Sequence, residues 1–161
     1  MLEFFGLPAH ILLLHAVVVL APLAGLGGIL YALRPGWWRV LEWPVLVLAV
    51  AAVVLTVLTA DAGEALEHAL AESAPIEAHA EQGELLEVAA GLFAGAAVLA
   101  VGTTGPWFTA KVPALSRVVS VRWLVPVVRA LIVVAGVFLI YQTVVAGHSG
   151  AAAAWSDWRT R

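Results

Sequence analysis

The chain has 161 residues, of which 63% are hydrophobic and only 12% are charged, with a net charge of −3 and no cysteine. A soluble domain usually carries about 45–50% apolar and about 25% charged residues, so this composition, with a mean hydropathy of +1.00, predicts an integral membrane protein. The lack of cysteine excludes disulfides, iron–sulfur clusters and thiolate metal sites, and the lack of a basic patch with interleaved aromatic residues argues against a nucleic-acid partner.

Four apolar segments are each long enough to cross a bilayer, which takes roughly 20 helical residues. We expect the first segment to stay in the mature protein, because it follows no positive stretch and is too long for a signal peptide. The predicted fold is therefore all-α, a single four-helix transmembrane bundle, with spans at residues 8–33, 44–64, 85–102 and 124–146.

Proline and glycine predict where these helices bend, meet and end. Pro22, close to Gly25 and Gly28, predicts a kink or a close helix contact, and the motif from Gly91 to Gly95 offers a second close-packing surface. The segment Ser73-Ala-Pro75 is expected to end the second helix, and the third helix is expected to begin near Pro75. Residues 102–113 are expected to form a loop, and residues 147–150 to cap the fourth helix.

The cationic residues predict the orientation of the bundle. They gather near the first and third connections, whereas the second connection contains no lysine or arginine. The positive-inside rule then places both termini and the second connection on the extracytoplasmic face of the plasma (inner) membrane. The cations that support this orientation are Arg34, Arg39, Lys111, Arg117, Arg122 and Arg129, and those that oppose it are Arg159 and Arg161.

The second connection and its flanks, residues 61–87, hold eight of the eleven acidic residues and two of the five histidines. Ionisable groups at membrane depth are costly, so they are candidates for function. Asp61, Glu64 and His68 stand at i, i+3 and i+7 and share one helix face, where they can bind a cation or simply form a solvated helix end. His79 and Glu87 share a face of the third helix in the same way, and the alternative for its acidic first turns is a favourable interaction with the helix dipole.

The first and fourth helices add further histidines at the same predicted end. His10 and His15 are turned by about 140° relative to each other, so only one of them can point squarely at the bundle axis. The deeper His15 is favoured as a ligand or proton-relay group, and the alternative is a neutral imidazole hydrogen-bonded to a neighbouring helix. For His148, a hydrogen bond to the last carbonyls of its own helix is favoured over ligation.

Convergence of four helix ends predicts a transition-metal site. Nitrogen and oxygen ligands without thiolate suit zinc, copper(II), iron or manganese. The Glu-x-x-His spacing of di-iron bundles is not reproduced cleanly. The predicted ligands are His10, His15, Asp61, Glu64, His68, His79 and Glu87.

Two other functions compete with a metal site. A b-type haem for electron transfer would need imidazoles at matched depth, for which His10 with His79 or His148 qualifies, although the acidic face is unfavourable for propionates. A structural subunit would use the polar face to dock in a larger membrane complex. The sequence favours a non-enzymatic protein, because it has no nucleophile–base pair and no phosphate-binding glycine loop. The expected partners are the bilayer and either further copies of this chain or a larger complex.

The segment Leu7-Pro-Ala-His-x-x-x-x-His15 resembles the His-Pro-x-x-x-His start of a bacterial membrane family known as a domain of unknown function (family 2231). That family is also four-helical, with an aspartate closing helix two and a histidine opening helix three, and Asp61 and His79 stand at matching places. Residues 147–155 resemble a Gly-Asp-Ser-Gly-Ala-x-x-x-Trp ending of actinobacterial members.

Two positions depart from the family pattern. Ala9 replaces the usual proline, and His148 replaces an acidic or other residue, which argues against His148 as an essential ligand. Because some members are fused to redox domains, the resemblance implies a role near electron transfer, and it implies no particular activity.

Overall fold

The computed structural model describes residues 3–4, 6–71, 73–112 and 120–156. A two-stranded antiparallel ladder precedes the helices, with Gly6 between its strands at a φ of 78°, in the left-handed region that glycine adopts without steric cost. A short 3₁₀ turn, Pro35–Trp37, joins the first two helices. The elements are β1 (Glu3–Phe4), β2 (Leu7–Pro8), α1 (Ala9–Leu33), α2 (Trp38–Glu67), α3 (Ala74–Thr104), α4 (Pro106–Lys111) and α5 (Leu124–Ala154).

The four long helices form a bundle in which α1 and α3 stand on one diagonal. Helix α1 packs against α2 and α5, and α3 packs against the same two helices. The apolar windows of these helices have mean hydropathies of 2.0 to 2.5, and each helix is long enough to cross a membrane. The predicted four-helix, multi-pass membrane fold is therefore confirmed.

Helix α3 is longer than a bilayer requires. Its 31 residues extend for about 46 Å at 1.5 Å per residue, whereas the hydrocarbon core is about 30 Å thick. A helix of this length that stands along the bilayer normal has about ten residues outside the hydrocarbon. The polar turns at residues 74–84 are that part, because the apolar sequence of α3 begins at Leu85.

Small residues allow the helices to approach closely, as is common in membrane bundles. A Cβ added at Gly25 would lie 2.7 Å from the carbonyl oxygen of Gly136, and one added at Gly136 would lie 2.9 Å from that of Gly25. The predicted close contact near Pro22 is therefore confirmed as the crossing of α1 and α5. Gly91 and Gly95, in contrast, have open space at the Cβ position, so that motif makes no close contact among the described residues.

Helix α2 begins at Trp38, before the predicted span at residues 44–64, and contains Pro44, whose ring fixes a φ compatible with a helix. Two other predictions, the end of the second helix and the loop after the third, are wrong. The same helix ends at Glu67, before the expected stop at Ser73. Residues 106–111 form a helix within the segment that was expected to be a loop.

The expected cap at residues 147–150 is also wrong, since α5 continues to Ala154. Four alanines, the strongest helix formers, follow Gly150 and extend the helix. Of the cations that predict the orientation, Arg117, Arg159 and Arg161 lie outside the described residues.

Candidate functional site

The start of α1, the end of α2, the start of α3 and the end of α5 meet at one end of the bundle, which we call the histidine end. His10 of α1 reaches the backbone of Thr59 in α2, and His79 of α3 reaches Ser149 of α5. The two histidine rings contact each other, with centroids 6.0 Å apart. The predicted convergence of four helix ends is therefore confirmed, and the start of α1 and the end of α5 lie on the same side.

The hydrogen bond of His10 defines its tautomer. Its Nδ1 lies 2.8 Å from the carbonyl oxygen of Thr59, and a carbonyl oxygen can only accept. The Nδ1 therefore carries the proton in the neutral ring, which leaves the lone pair on Nε2. Gly63, one turn further along α2, makes room for this ring, because a Cβ there would lie 2.9 Å from the His10 Nδ1.

The tautomer of His79 follows from two linked hydrogen bonds. The hydroxyl of Ser149 donates to the carbonyl oxygen of Ala146 at 2.9 Å, so its oxygen is left to accept from His79 Nδ1, 3.0 Å away. His79 thus also carries its proton on Nδ1 and keeps a lone pair on Nε2. Gly150 allows this approach, since a Cβ there would lie 2.9 Å from the His79 Cε1.

The two partly buried imidazoles meet edge to face, with an interplanar angle of 78°. Burial lowers the pKa of His79, which lies in the turns of α3 outside the hydrocarbon, and the neighbouring His10 lowers it further. The carbonyl of Ala146 and the carboxylate of Glu67 oppose this shift. These effects favour the neutral form of His79, which is the form in which imidazole binds metals.

Two of the predicted carboxylate ligands, Asp61 and Glu87, form a different cluster. Asp61 is exposed and Glu87 is partly buried, and the two interact electrostatically, together with Glu84. In the part of the chain that the structure describes, no three histidine or carboxylate side chains are placed so that they could hold one metal ion. The structure thus brings His10 and His79 together without a third ligand from the predicted set.

The remaining predicted ligands lie at the surface. His15 is exposed, and its Nδ1 donates to the carbonyl oxygen of Ile11 in its own helix at 2.5 Å. His68 and Glu64 lie 3.7 Å apart with side chains that are 78% and 74% exposed. Such an exposed pair contributes little to stability.

Several polar groups at this end were missed by sequence reasoning. Ser149 contacts His79, whereas the sequence analysis considered its neighbour His148 as the candidate, because only a histidine there can titrate. Gln142, only 3% exposed, joins α5 to α3 through a 2.8 Å hydrogen bond from its Nε2 to the Oε1 of Gln82. Gln142 could have been found from the sequence, because it is an amide inside an apolar span and buried polar groups need partners.

The opposite end of the bundle, which we call the cationic end, contains a carboxylate that the sequence analysis did not single out. Glu42 is 3% exposed, and its Oε2 accepts a hydrogen bond from the backbone N–H of Trp107 at 3.1 Å. It therefore caps the first turn of α4. Nearby, the hydroxyls of Tyr31 and Thr104 are 2.9 Å apart and join α1 to α3.

No family model, curated protein or solved structure matches the chain. Its function is therefore argued from the geometry of the molecule. The chain is a four-helix membrane protein in which His10 and His79, from two diagonal helices, meet at one end of the bundle.

Proposed function

We propose that this protein is a non-enzymatic membrane protein that binds a divalent transition metal at the histidine end, with the Nε2 atoms of His10 and His79 as ligands. The observation that carries the proposal is the shared tautomer of the two rings, since each Nδ1–H is used by an acceptor. Metal-binding histidines almost always hold their second nitrogen in this way, because the hydrogen bond orients the ring and raises the basicity of the ligating nitrogen.

The chemistry of the pair favours some metals over others. Imidazole suits zinc and copper, whereas manganese prefers carboxylate and water ligands. Glu67, which interacts electrostatically with His79, supplies negative charge near the pair. We therefore expect zinc or copper(II), with water completing the coordination, and we rank iron and manganese lower. His15, Asp61, Glu64, His68 and Glu87 are ligands of second choice.

The distribution of charge supports an extracytoplasmic location for the site. Arg34, Arg39, Lys111 and Arg122 are exposed near the ends of the helices opposite the histidine pair. By the positive-inside rule, the histidine end faces the extracytoplasmic side of a bacterial plasma (inner) membrane. Membership of family 2231, which rests on the segment 7–15 and on the places of Asp61 and His79, is part of the same proposal.

A b-type haem with a redox role is the second candidate. It is favoured by the position of His10 and His79 on different helices at a common depth. It is disfavoured by the close approach of the Gly63 and Gly150 backbones to the two rings, because a porphyrin needs a wide slot beside its axial ligands. A structural subunit of a larger complex is the third candidate.

The test uses the full chain purified in detergent. Elemental analysis and an absorbance spectrum are recorded first, and zinc and copper(II) are then titrated into chelator-treated protein by calorimetry. We expect one metal ion per chain, with binding lost in His10→Asn and His79→Asn. His148→Asn is the matched control, because His148 is exposed and is not one of the proposed ligands.

The outcomes separate the candidates. Unchanged metal binding in both pair variants, or an equal loss in His148→Asn, would contradict the metal site. A Soret band in the purified protein would favour the haem. Protein without metal or haem that co-purifies with a stable partner would favour the structural subunit.

A further inference from the structure

A groove on the lipid-facing surface lies at the cationic end, between the last turn of α1 and the first turns of α5. Its volume is about 430 Å³, and the described residues that line it are apolar except for one charged residue, Arg129. Leu33, Val133 and Val134 are among the apolar lining residues, and the side chain of Val134 is 68% exposed. The groove therefore combines an apolar trough with one cation at its wall.

Arg129 is held at a defined position. Its Nε donates a 2.6 Å hydrogen bond to the carbonyl oxygen of Ala32, near the end of α1. This bond uses one of the five N–H donors of the guanidinium. Since α1 ends at Leu33, the bond also satisfies one of the carbonyls that have no partner at a helix C-terminus.

The charge of Arg129 has no counterpart within the described residues. The ion pair between Glu64 and His68 is the only one found among them, and it lies at the other end of the bundle. Arg129 stands five residues after the start of α5, about 7.5 Å along the helix axis. A cation at this depth is costly unless a negative group or water reaches it.

We propose that this groove binds an anionic phospholipid, with its headgroup phosphate on the Arg129 guanidinium and an acyl chain along the apolar trough. The apolar trough matches the acyl chain of such a lipid, and the guanidinium of Arg129 matches its negative headgroup. Arg34 and Arg122, both exposed at the cationic end, add to the attraction for a negative headgroup. Basic pockets between transmembrane helices are suited to such headgroups, because guanidinium binds phosphate in a bidentate manner.

The test measures lipid binding to the full chain in detergent by native mass spectrometry, with phosphatidylglycerol and phosphatidylcholine in competition. We expect the protein to retain phosphatidylglycerol preferentially. Arg129→Gln should reduce this preference about fivefold, the effect of one interfacial charge, whereas Arg129→Lys should keep most of it. Arg39→Gln is the matched control, because Arg39 is exposed at the same end and does not line the groove.

A second variant tests the apolar part without changing the arginine or its hydrogen bond. Ala130 lines the groove and is exposed, so Ala130→Phe should fill the trough and lower the retention of phosphatidylglycerol. The proposal is overturned if Arg129→Gln and Ala130→Phe retain as much phosphatidylglycerol as the unmodified protein. It is equally overturned if Arg39→Gln loses as much, which would indicate diffuse surface charge. Displacement of the lipid by millimolar inorganic phosphate would assign the arginine to a free anion instead.

Discussion

His10 and His79 belong to helices on one diagonal of the bundle, yet their rings meet edge to face with centroids 6.0 Å apart. Each ring is tied to a different third helix, His10 to Thr59 of α2 and His79 to Ser149 of α5. The pair and its two tethers therefore join all four long helices at one end.

Ser149→Ala should weaken metal binding without removing a ligand. The substitution deletes the oxygen that accepts from His79 Nδ1, so the ring loses its orientation and its preferred tautomer. Loss of such an outer partner typically costs roughly 10- to 100-fold in metal affinity. Titration of zinc or copper(II) into chelator-treated protein measures the effect, and the exposed Ser156→Ala is the control. Equal affinities for the two variants would contradict the role of Ser149.

Gly150→Ala and Gly147→Ala form a matched pair in the same turn of α5. A Cβ at Gly150 would lie 2.9 Å from the His79 ring, whereas at Gly147 the space is open. We expect Gly150→Ala to displace His79 and to lower metal affinity. Gly147→Ala should leave affinity unchanged and add up to about 1 kcal/mol to stability, because alanine favours a helix. The finding that both variants bind metal equally well would show that the ring has room to move.

Gly136→Ala should destabilise the crossing of α1 and α5. The added methyl group would lie 2.9 Å from the carbonyl oxygen of Gly25, and backbone cannot move aside as a flexible side chain can. Overpacking of this kind typically costs about 1–3 kcal/mol. Unfolding in detergent, followed by circular dichroism, measures the loss against Gly91→Ala, where the Cβ position is open. The interpretation fails if the two variants unfold at the same temperature.

Glu42→Ala should destabilise the cationic end more than Glu42→Gln. The alanine variant leaves the N–H of Trp107 without its acceptor, at a cost of about 1–3 kcal/mol, whereas glutamine keeps an acceptor oxygen at the same place. The exposed Glu84→Ala serves as the control for removal of a carboxylate. The same unfolding measurement applies. Equal losses in the alanine and glutamine variants of Glu42 would show that the hydrogen bond to α4 contributes little.

The stability of the metal-free protein should depend on pH through His79, whose pKa is lowered from 6.5 by burial and by His10. Above 6.5 this histidine is neutral in both states, and its contribution to stability is complete. As the pH falls from 6.5 towards the folded pKa, the unfolded chain binds a proton that the folded protein does not, so the unfolding free energy decreases.

The measurement compares the unfolding free energy of the unmodified protein with that of His79→Gln at about pH 7.5 and about pH 5.5. The comparison cancels contributions from the parts of the chain that both proteins share and that do not contact residue 79. We expect the advantage of the unmodified protein to shrink at the lower pH. An advantage that stays constant or grows would contradict the direction of the His79 shift.

Part of this architecture follows from the amino-acid order alone. The lengths of the apolar segments and the placement of charges predict four spans. In a chain that crosses a membrane four times, the first and third helices start, and the second and fourth helices end, on the same side. That is why His10 of the first helix and His79 of the third could be assigned to a common end before any contact was known. The polar turns of α3 were recognisable for the same reason, because their charge sets them apart from the apolar sequence that follows.

Only the tertiary structure decided which histidines meet. Successive residues of a helix are about 100° apart around its axis. A small rotation of α1 therefore decides whether a given histidine ring points at α2 or away from the bundle. His10 reaches Thr59 and His79, whereas His15 faces away and bonds to its own helix. The rotation of each helix is set by close contacts such as that between Gly25 and Gly136. These contacts depend on how two segments far apart in the sequence fit together, which cannot be read from the residue order.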